Sequence, residues 1–384
     1  MNLSFKNIFY TLSSTFAVFA ILVFAKPVLI PLAFALLVSF ILLPVVKKLE
    51  GWGINKTLSA VLTIFGIILL LSGGIFLFST QIINLTTKIS DFQDRVLQVF
   101  TEATLYFNKN ISFIPDLEEG ELINRLKDWV NESAELLISK TFNNTASFFG
   151  GLVSVIIFTF LFLIYRNSLV HAFTCFFPHN KRQIAFQMFK KVQMVGKKYL
   201  LGMLILMIIL GTANSIGLLI IGIDSPFLFG FLAGILAIVP YIGTTIGAAI
   251  PVLYAFLAYE SLWMPIAVII LFWGVQFVES NFLSPKIVGK SLKVNALTVI
   301  LSIIIGASVW GVAGMILFLP FTAMFKAVCE EYNQLKPVAL LIGEHNNNEE
   351  DHSIGFFLKN FGNRIAKMFY GLINYFTYRN KNRQ

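Results

Sequence analysis

The chain has 384 residues, of which 57% are hydrophobic and 13% charged, with 29 Lys and Arg against 20 Asp and Glu for a net charge of +9. A charged share about half that of an ordinary soluble domain excludes a single soluble globule and points to a multi-spanning membrane protein. The positive balance is not a nucleic-acid signature, because the basic residues cluster between apolar runs, where they set orientation; two distant cysteines and four histidines outside those runs give neither a disulfide framework nor a metal-ligand spacing.

Residues 8–25 and 27–46 read as a tight helical hairpin around Lys26-Pro27. No small-residue cleavage site follows the first apolar run, so it is expected to be retained as a span. Lys47, Lys48 and Lys56 mark an inside loop, and 57–79 crosses outward. Residues 80–145 carry ten acidic and six basic residues, and Leu122, Leu126, Trp129 and Leu136 repeat at helical spacing. This predicts a small helical extracytoplasmic subdomain. Residues 146–165 cross back. Between Arg166 and Lys198 there are seven basic residues and no acidic one, which is a strong cytoplasmic signal. Its second half sets Ile184, Met188, Val192, Val195 and Tyr199 on one face, as in a helix on the membrane surface or a solvated connector.

Span 199–221 then crosses outward, and 264–280 crosses inward. The tail beyond residue 328 ends in a basic aromatic segment, with Phe357, Phe361 and Ile365 beside Lys359, Arg364 and Lys367. That pattern suits contact with the inner leaflet and a cytoplasmic C-terminus.

Two apolar runs, 227–258 and 295–326, are too long for one straight span. Each would measure about 48 Å as a helix against a hydrocarbon core of about 30 Å. The first is interrupted at Val239-Pro240-Tyr241 and the second at Trp310-Gly311, and a proline follows each aromatic ten residues later, Pro251 and Pro320. Charge placement distinguishes two topologies. If each run were one span, the loop holding Lys286, Lys290 and Lys293 would lie outside. If each is a re-entrant hairpin, Asp224 and Glu260 flank the first outside, and Lys293 and Lys326 flank the second inside. The expected fold is an all-α polytopic membrane protein with about six full transmembrane helices plus two re-entrant broken-helix hairpins, or eight spans if both runs are long kinked helices. A span with an outside-entering hairpin followed by a span with an inside-entering one makes an inverted repeat, an arrangement in which broken helices meet near the midplane at a substrate site. The expected organisation is 1–79 N-terminal helices, 80–145 outer subdomain, 146–198 helix and basic segment, 199–328 transport core, and 329–384 cytoplasmic tail.

Polar groups inside these runs are the candidate pathway residues. Thr212, Asn214 and Ser215 lie within 199–221, where interhelical hydrogen bonding is the alternative to ligand contact. Thr244 and Thr245 follow the first break. Unpaired backbone N–H groups at that half-helix start would favour an anionic or carbonyl-bearing ligand, unless the hydroxyls cap the helix. Gln276 and Glu279 share a face near Asn281, and Glu279 is the sole acid between Glu260 and Glu330. It is either an ion-coupling carboxylate or a salt-bridge partner of Lys286 or Lys290. Gly243, Gly247, Gly306, Gly311 and Gly314 are expected to permit close backbone packing.

"AIVPYIGTTIGAAIPVLYAF" from Ala237, followed by "VQFVESNFLSPKIVGKSLKVNALTVILSIIIGASVWGVAGMILFLP" from Val275, resembles the autoinducer-2 exporter (AI-2E) family of bacterial permeases. The resemblance covers about residues 10–328. Its signatures are Pro-Tyr-Ile-Gly at Pro240, Tyr241 and Gly243, and Asn-x-x-x-Pro-x-x-x-Gly at Asn281, Pro285 and Gly289. "KPVLIPLAFALLVSFILLPVVKKLE" from Lys26 matches the family's N-terminal hairpin. Where many relatives carry an Arg and a Gln, this chain has Leu201 and Met203, and Thr244 replaces a frequent proline. The resemblance implies a secondary transporter of the bacterial inner membrane, with a small-molecule or ion substrate, oligomeric assembly and an elevator-like motion. The candidate substrate or ion pathway residues are Asn214, Pro240, Tyr241, Gly243, Thr244, Thr245, Gln276, Glu279, Asn281, Pro285, Trp310 and Gly311. No nucleotide-binding loop, cofactor, catalytic group or nucleic-acid partner is expected, and a membrane scaffold is the alternative of another class.

Overall fold

A computed structural model describes residues 5–87, 98, 149–289, 294–332 and 334–344. The expected outer subdomain, the tail beyond residue 344 and most of the loop holding Lys290 and Lys293 lie outside the described residues. The chain divides into Met1–Gly343 and Glu344–Gln384. The described part of the first unit is helical, and an isolated Val294–Gly343 bridge is its one strand-like pairing among the described residues.

Helix α1 (Phe5–Phe24) turns at Ala25 into α2 (Lys26–Gly51), whose first turn carries Pro27, a residue that needs no N–H partner there. Gly53, at φ 88°, closes the following turn, and the side chain of Asn55 accepts from the Leu58 N–H at 2.8 Å. Helix α3 (Lys56–Thr87) continues past the expected end at 79. Helix α4 (Phe149–Cys175) returns. Leu42 and Val46 of α2, Ala60 of α3 and Leu163 of α4 form one buried cluster.

Helix α5 (Arg182–Ile221) runs 40 residues without a break. The basic amphipathic segment is therefore the first part of a spanning helix of about 60 Å, not a separate helix in the membrane plane. No proline or glycine turn separates Lys198 from Tyr199, so nothing stops the helix there. It ends at Gly222, φ 91°, whose N–H reaches the carbonyls of Leu218 and Leu219, a left-handed cap that favours glycine.

The first long run forms α6 (Pro226–Leu236) and α7 (Ile242–Ala258), separated by residues 237–241. The two arms are antiparallel. A Cβ on Gly247 would lie 2.9 Å from Ala233 Cα, and one on Gly243 would fall onto the Leu236 carbonyl. In a straight helix residues 233 and 247 would stand about 21 Å apart. Further from the tip, the rings of Phe229 and Tyr254 are 4.8 Å apart, and the Asp224 N–H donates to the Tyr259 hydroxyl oxygen at 2.9 Å.

Helix α8 (Trp263–Val278) passes into wide π-turns at Glu279–Leu283 and Pro285–Gly289. The segment α9 (Ala296–Glu331) consists of two helical arms folded at Gly311, which has φ 62° and ψ −140°. Ser302 and Thr322 share a hydroxyl–hydroxyl hydrogen bond of 2.9 Å, although a straight helix would hold them about 30 Å apart. A Cβ on Gly306 would sit 2.4 Å from the Gly314 carbonyl oxygen. The second run is thus also an antiparallel hairpin. Finally, α10 (Lys336–Ile342) packs back on the start of α9, where the Asn295 side chain donates to the Leu341 carbonyl at 2.7 Å.

Among the described residues six helices are long and apolar enough to cross a membrane: α2, α3, α4, α5, α8 extended to Val288, and α9. Their exposed Leu, Ile and Phe side chains match a lipid-facing exterior. The expectation of spans and two hairpins holds, with α9 one of the long apolar helices by length although its arms fold together.

Candidate functional site

At the first hairpin tip, Tyr241 has φ 64° and ψ −56°, and the Ile242 N–H bonds the Pro240 carbonyl at 2.8 Å. That is a classic γ-turn, rare and strained for a residue bearing a Cβ. Pro240 supplies a fixed φ and lacks an N–H to continue α6. The strain is held in place locally. Thr244 and Thr245 donate their hydroxyls to the Tyr241 carbonyl at 3.1 and 2.8 Å, and the Thr245 N–H reaches the same oxygen. The Tyr241 ring itself is 64% exposed. The expectation of free N–H groups at this helix start is corrected: Ile242, Gly243 and Thr245 spend theirs on Pro240, Val239 and Tyr241. Nor do the threonine side chains cap α7 by accepting from it. They lock the turn by donating backwards.

Helix α5 is the platform on which this tip rests. Gly234 comes so close to Gly211 that a Cβ there would lie 2.7 Å from the Met207 carbonyl oxygen. Ser215 donates to the Gly211 carbonyl at 2.7 Å and faces Gly230. Ser215 therefore takes the interhelical packing role, and Thr212 is exposed. Asn214 differs. It is 4% exposed, and its Oδ1 is buried without a hydrogen-bond partner. A buried acceptor left unpaired costs about 1–3 kcal/mol, so it is a ready acceptor for a solute donor or a cation.

The π-turns carry the next group. Pro285 has no N–H to give to Asn281 in an α-turn, and its ring would crowd that carbonyl, so the helix widens there. The Asn281 side chain donates instead to the Phe277 carbonyl at 2.8 Å. Gln276 Nε2 donates to the Glu279 carboxylate at 2.5 Å, and Glu279 is 9% exposed. Among the described residues Glu279 makes no ion pair with Lys286, while Lys290 lies outside them. A Cβ on Gly202 would touch the Ile287 carbonyl oxygen at 3.0 Å, which fixes this segment against α5.

Leu206 and Leu210 of α5 gather Ala237 and Ile238 of the first tip together with Leu283, Ile287 and Val288. The structure therefore brings together the segments holding Pro240, Tyr241, Gly243, Thr244 and Thr245 with those holding Gln276, Glu279, Asn281 and Pro285. It assigns Trp310 and Gly311 elsewhere. The Trp310 indole N–H donates to the Leu22 carbonyl of α1 at 2.9 Å, its ring stands edge-on to Phe318, and it packs with Ala33, Leu37 and Leu317. Both hairpins contact α5, and α5 is what relates them. Sequence reasoning missed the bond between Ser302 and Thr322. Two hydroxyls in apolar surroundings were the available signal.

Among the described residues no group of three or more His, Cys, Asp or Glu is placed to hold a metal. The arrangement offers an amide oxygen, hydroxyls, an exposed aromatic ring and one buried carboxylate. Such a set can hold and release a small polar solute or an ion, and it lacks a nucleophile paired with a base.

The AI-2E family transporter model matches residues 12–334. YrrI of Bacillus subtilis, whose name gives transport and no cargo, is 27% identical over 333 residues, covering 81% of this chain and 88% of that one. TqsA of Escherichia coli K12, named as an AI-2 transport protein, is 21% identical over 337 residues, covering 84% and 91%. PerM of the same strain, named as a permease, is 24% identical over 335 residues. On this match across most of its length, and with helices that fit it, the chain is a multi-pass membrane protein belonging to the AI-2E transporter family.

Proposed function

We propose that this protein is a secondary active transporter exporting a small polar organic molecule, an autoinducer-2-like signal or a related metabolite, coupled to an ion gradient. The observation that carries the reading is the pair of antiparallel broken-helix hairpins packed on one helix, one of them with a strained γ-turn at its tip. Strain and irregular backbone at membrane depth are kept where they serve a wet pathway. Sliding of the hairpin-bearing core along the remaining helices would be an elevator-like motion. The name of TqsA supports the cargo class, and the family supports transport over enzymatic work. The positive-inside pattern supports cytoplasmic termini, and the bacterial relatives support a bacterial cytoplasmic membrane. A homo-oligomer in lipid would use apolar faces such as that of α3, where Leu70, Ile75, Phe76 and Leu77 are exposed.

The buried Glu279 supports a second reading, sodium/proton antiport. Everted vesicles holding the protein separate the two. Gradient-driven accumulation of labelled small polar metabolites supports export, and sodium-dependent proton movement without solute supports antiport. No flux of either kind overturns transport and returns the chain to a membrane scaffold.

A further inference from the structure

Away from the hairpin tips, a cavity of about 750 Å³ opens between α2, α4 and the first turns of α5. Its walls cross the boundary at which the apolar runs of two helices end. On α2 they pass from Phe40 and Leu43 to Lys47, the first charge of that helix after Lys26; on α4 they pass from Phe162 to Arg166. The start of α5 completes the wall with Phe189 and Lys190. No acidic residue lines it among the described residues.

The three cations are not equivalent. Arg166 directs Nη2 at the Glu50 carboxylate, 2.8 Å from Oε1, and that pair ties α4 to the end of α2. Its other terminal nitrogen, Nη1, is buried and has no hydrogen-bond partner. Lys47 and Lys190 are exposed and outside any ion pair among the described residues, and the Lys190 ammonium stands 4.5 Å over the Phe186 ring. A half-buried guanidinium, two ammonium groups outside any ion pair among the described residues and an apolar floor make a receptor for an anion joined to a hydrocarbon chain. A free phosphate would use the cations and leave the floor wet.

We propose that this cavity is a binding site for an anionic phospholipid of the leaflet facing Lys47 and Arg166, the cytoplasmic one by the basic-residue pattern. The phosphate is held by Arg166, Lys47 and Lys190, and the acyl chain lies along Phe162, Leu43 and Phe189. The site braces α2, α4 and α5 and is independent of the cargo.

The test uses the full-length protein in a non-ionic detergent. It is exposed in turn to phosphatidylglycerol, phosphatidylcholine and inorganic phosphate, with lipid retention read by native mass spectrometry and stability by thermal unfolding. Phosphatidylglycerol should be retained and raise the melting temperature, while phosphatidylcholine and phosphate should do neither. Lys47→Gln/Lys190→Gln, which disturbs no ion pair among the described residues, should weaken phosphatidylglycerol retention on the order of tenfold and leave the lipid-free melting temperature unchanged. Leu43→Trp, which fills the floor, should lower retention with all three cations in place. Equal retention of the two lipids, a shift reproduced by phosphate alone, or full retention by the double-lysine variant would each overturn the proposal.

Discussion

Replacing Gly314 with alanine tests whether the second apolar run is a hairpin. In a straight helix, alanine is better than glycine by about 0.8–1.0 kcal/mol, so Gly314→Ala would stabilise. In the folded structure the added Cβ would stand within 1.9 Å of the Gly306 carbonyl oxygen, and both groups are backbone or directly attached to it. No rotamer relieves that contact, so the arms must part by on the order of an ångström, a gap that forfeits a quarter to a half of each facing dispersion contact. The disturbed neighbours include Leu317, fully buried, and the Ser302–Thr322 hydroxyl pair. Overpacking of this kind costs about 1–3 kcal/mol where neighbours can yield, and here the upper end applies. We expect a loss of about 3 kcal/mol. Gly274→Ala on α8 is the matched control, because a Cβ there meets nothing within 4 Å. Thermal unfolding can be followed by thiol-reactive dye labelling of Cys329, which is buried, in a Cys175→Ser background. Gly314→Ala should unfold several degrees below the wild type and Gly274→Ala at or above it. Equal or higher stability for Gly314→Ala would refute the antiparallel arrangement.

Three further outcomes follow from the same geometry. Tyr241→Gly should raise stability by about 1 kcal/mol through relief of the positive φ, yet lower vesicle flux by removing the exposed ring; a destabilised variant in thermal unfolding would show that the turn carries no strain. Glu279→Gln should abolish the gradient dependence of flux while the protein stays in the membrane at normal abundance, whereas unchanged coupling would reduce Glu279 to a partner of Gln276. Single cysteines at Asp224 and Ser261, in the Cys175→Ser background, should both react with a membrane-impermeant maleimide from the same side of sealed vesicles. Labelling from opposite faces would sink the hairpin model for the first run.

Much of this architecture was legible in the residues because hydropathy, proline and glycine act locally. Apolar length alone marks the spans, and the interruptions at Pro240 and Trp310-Gly311 lie where the structure turns. The lysines between residues 286 and 293 went further and favoured hairpins over kinked helices, since membrane orientation is set by short charged loops. Between Lys198 and Tyr199 a change in polarity is not a break in the backbone, and α5 runs straight through the point where a separate surface helix would have ended.

What the sequence determined by itself is therefore the class of the protein, the order of its helices and the points where two of them stop. Only the tertiary structure decided what those points do. The hydroxyls of Thr244 and Thr245 had several possible partners, and the folded turn gives both to the Tyr241 carbonyl. Glu279 had lysines within reach along the chain, and the structure gives it Gln276 as a hydrogen-bond partner and, among the described residues, no ion pair with Lys286. Trp310 and Tyr241, alike as aromatics at a break, were parted because one is anchored to α1 and the other left open. The first two partners lie three or four residues away, and which of them is taken depends on how the chain closes at the turn; the Trp310 contact with Leu22 joins segments 288 residues apart and is set by packing that no local pattern of residues encodes.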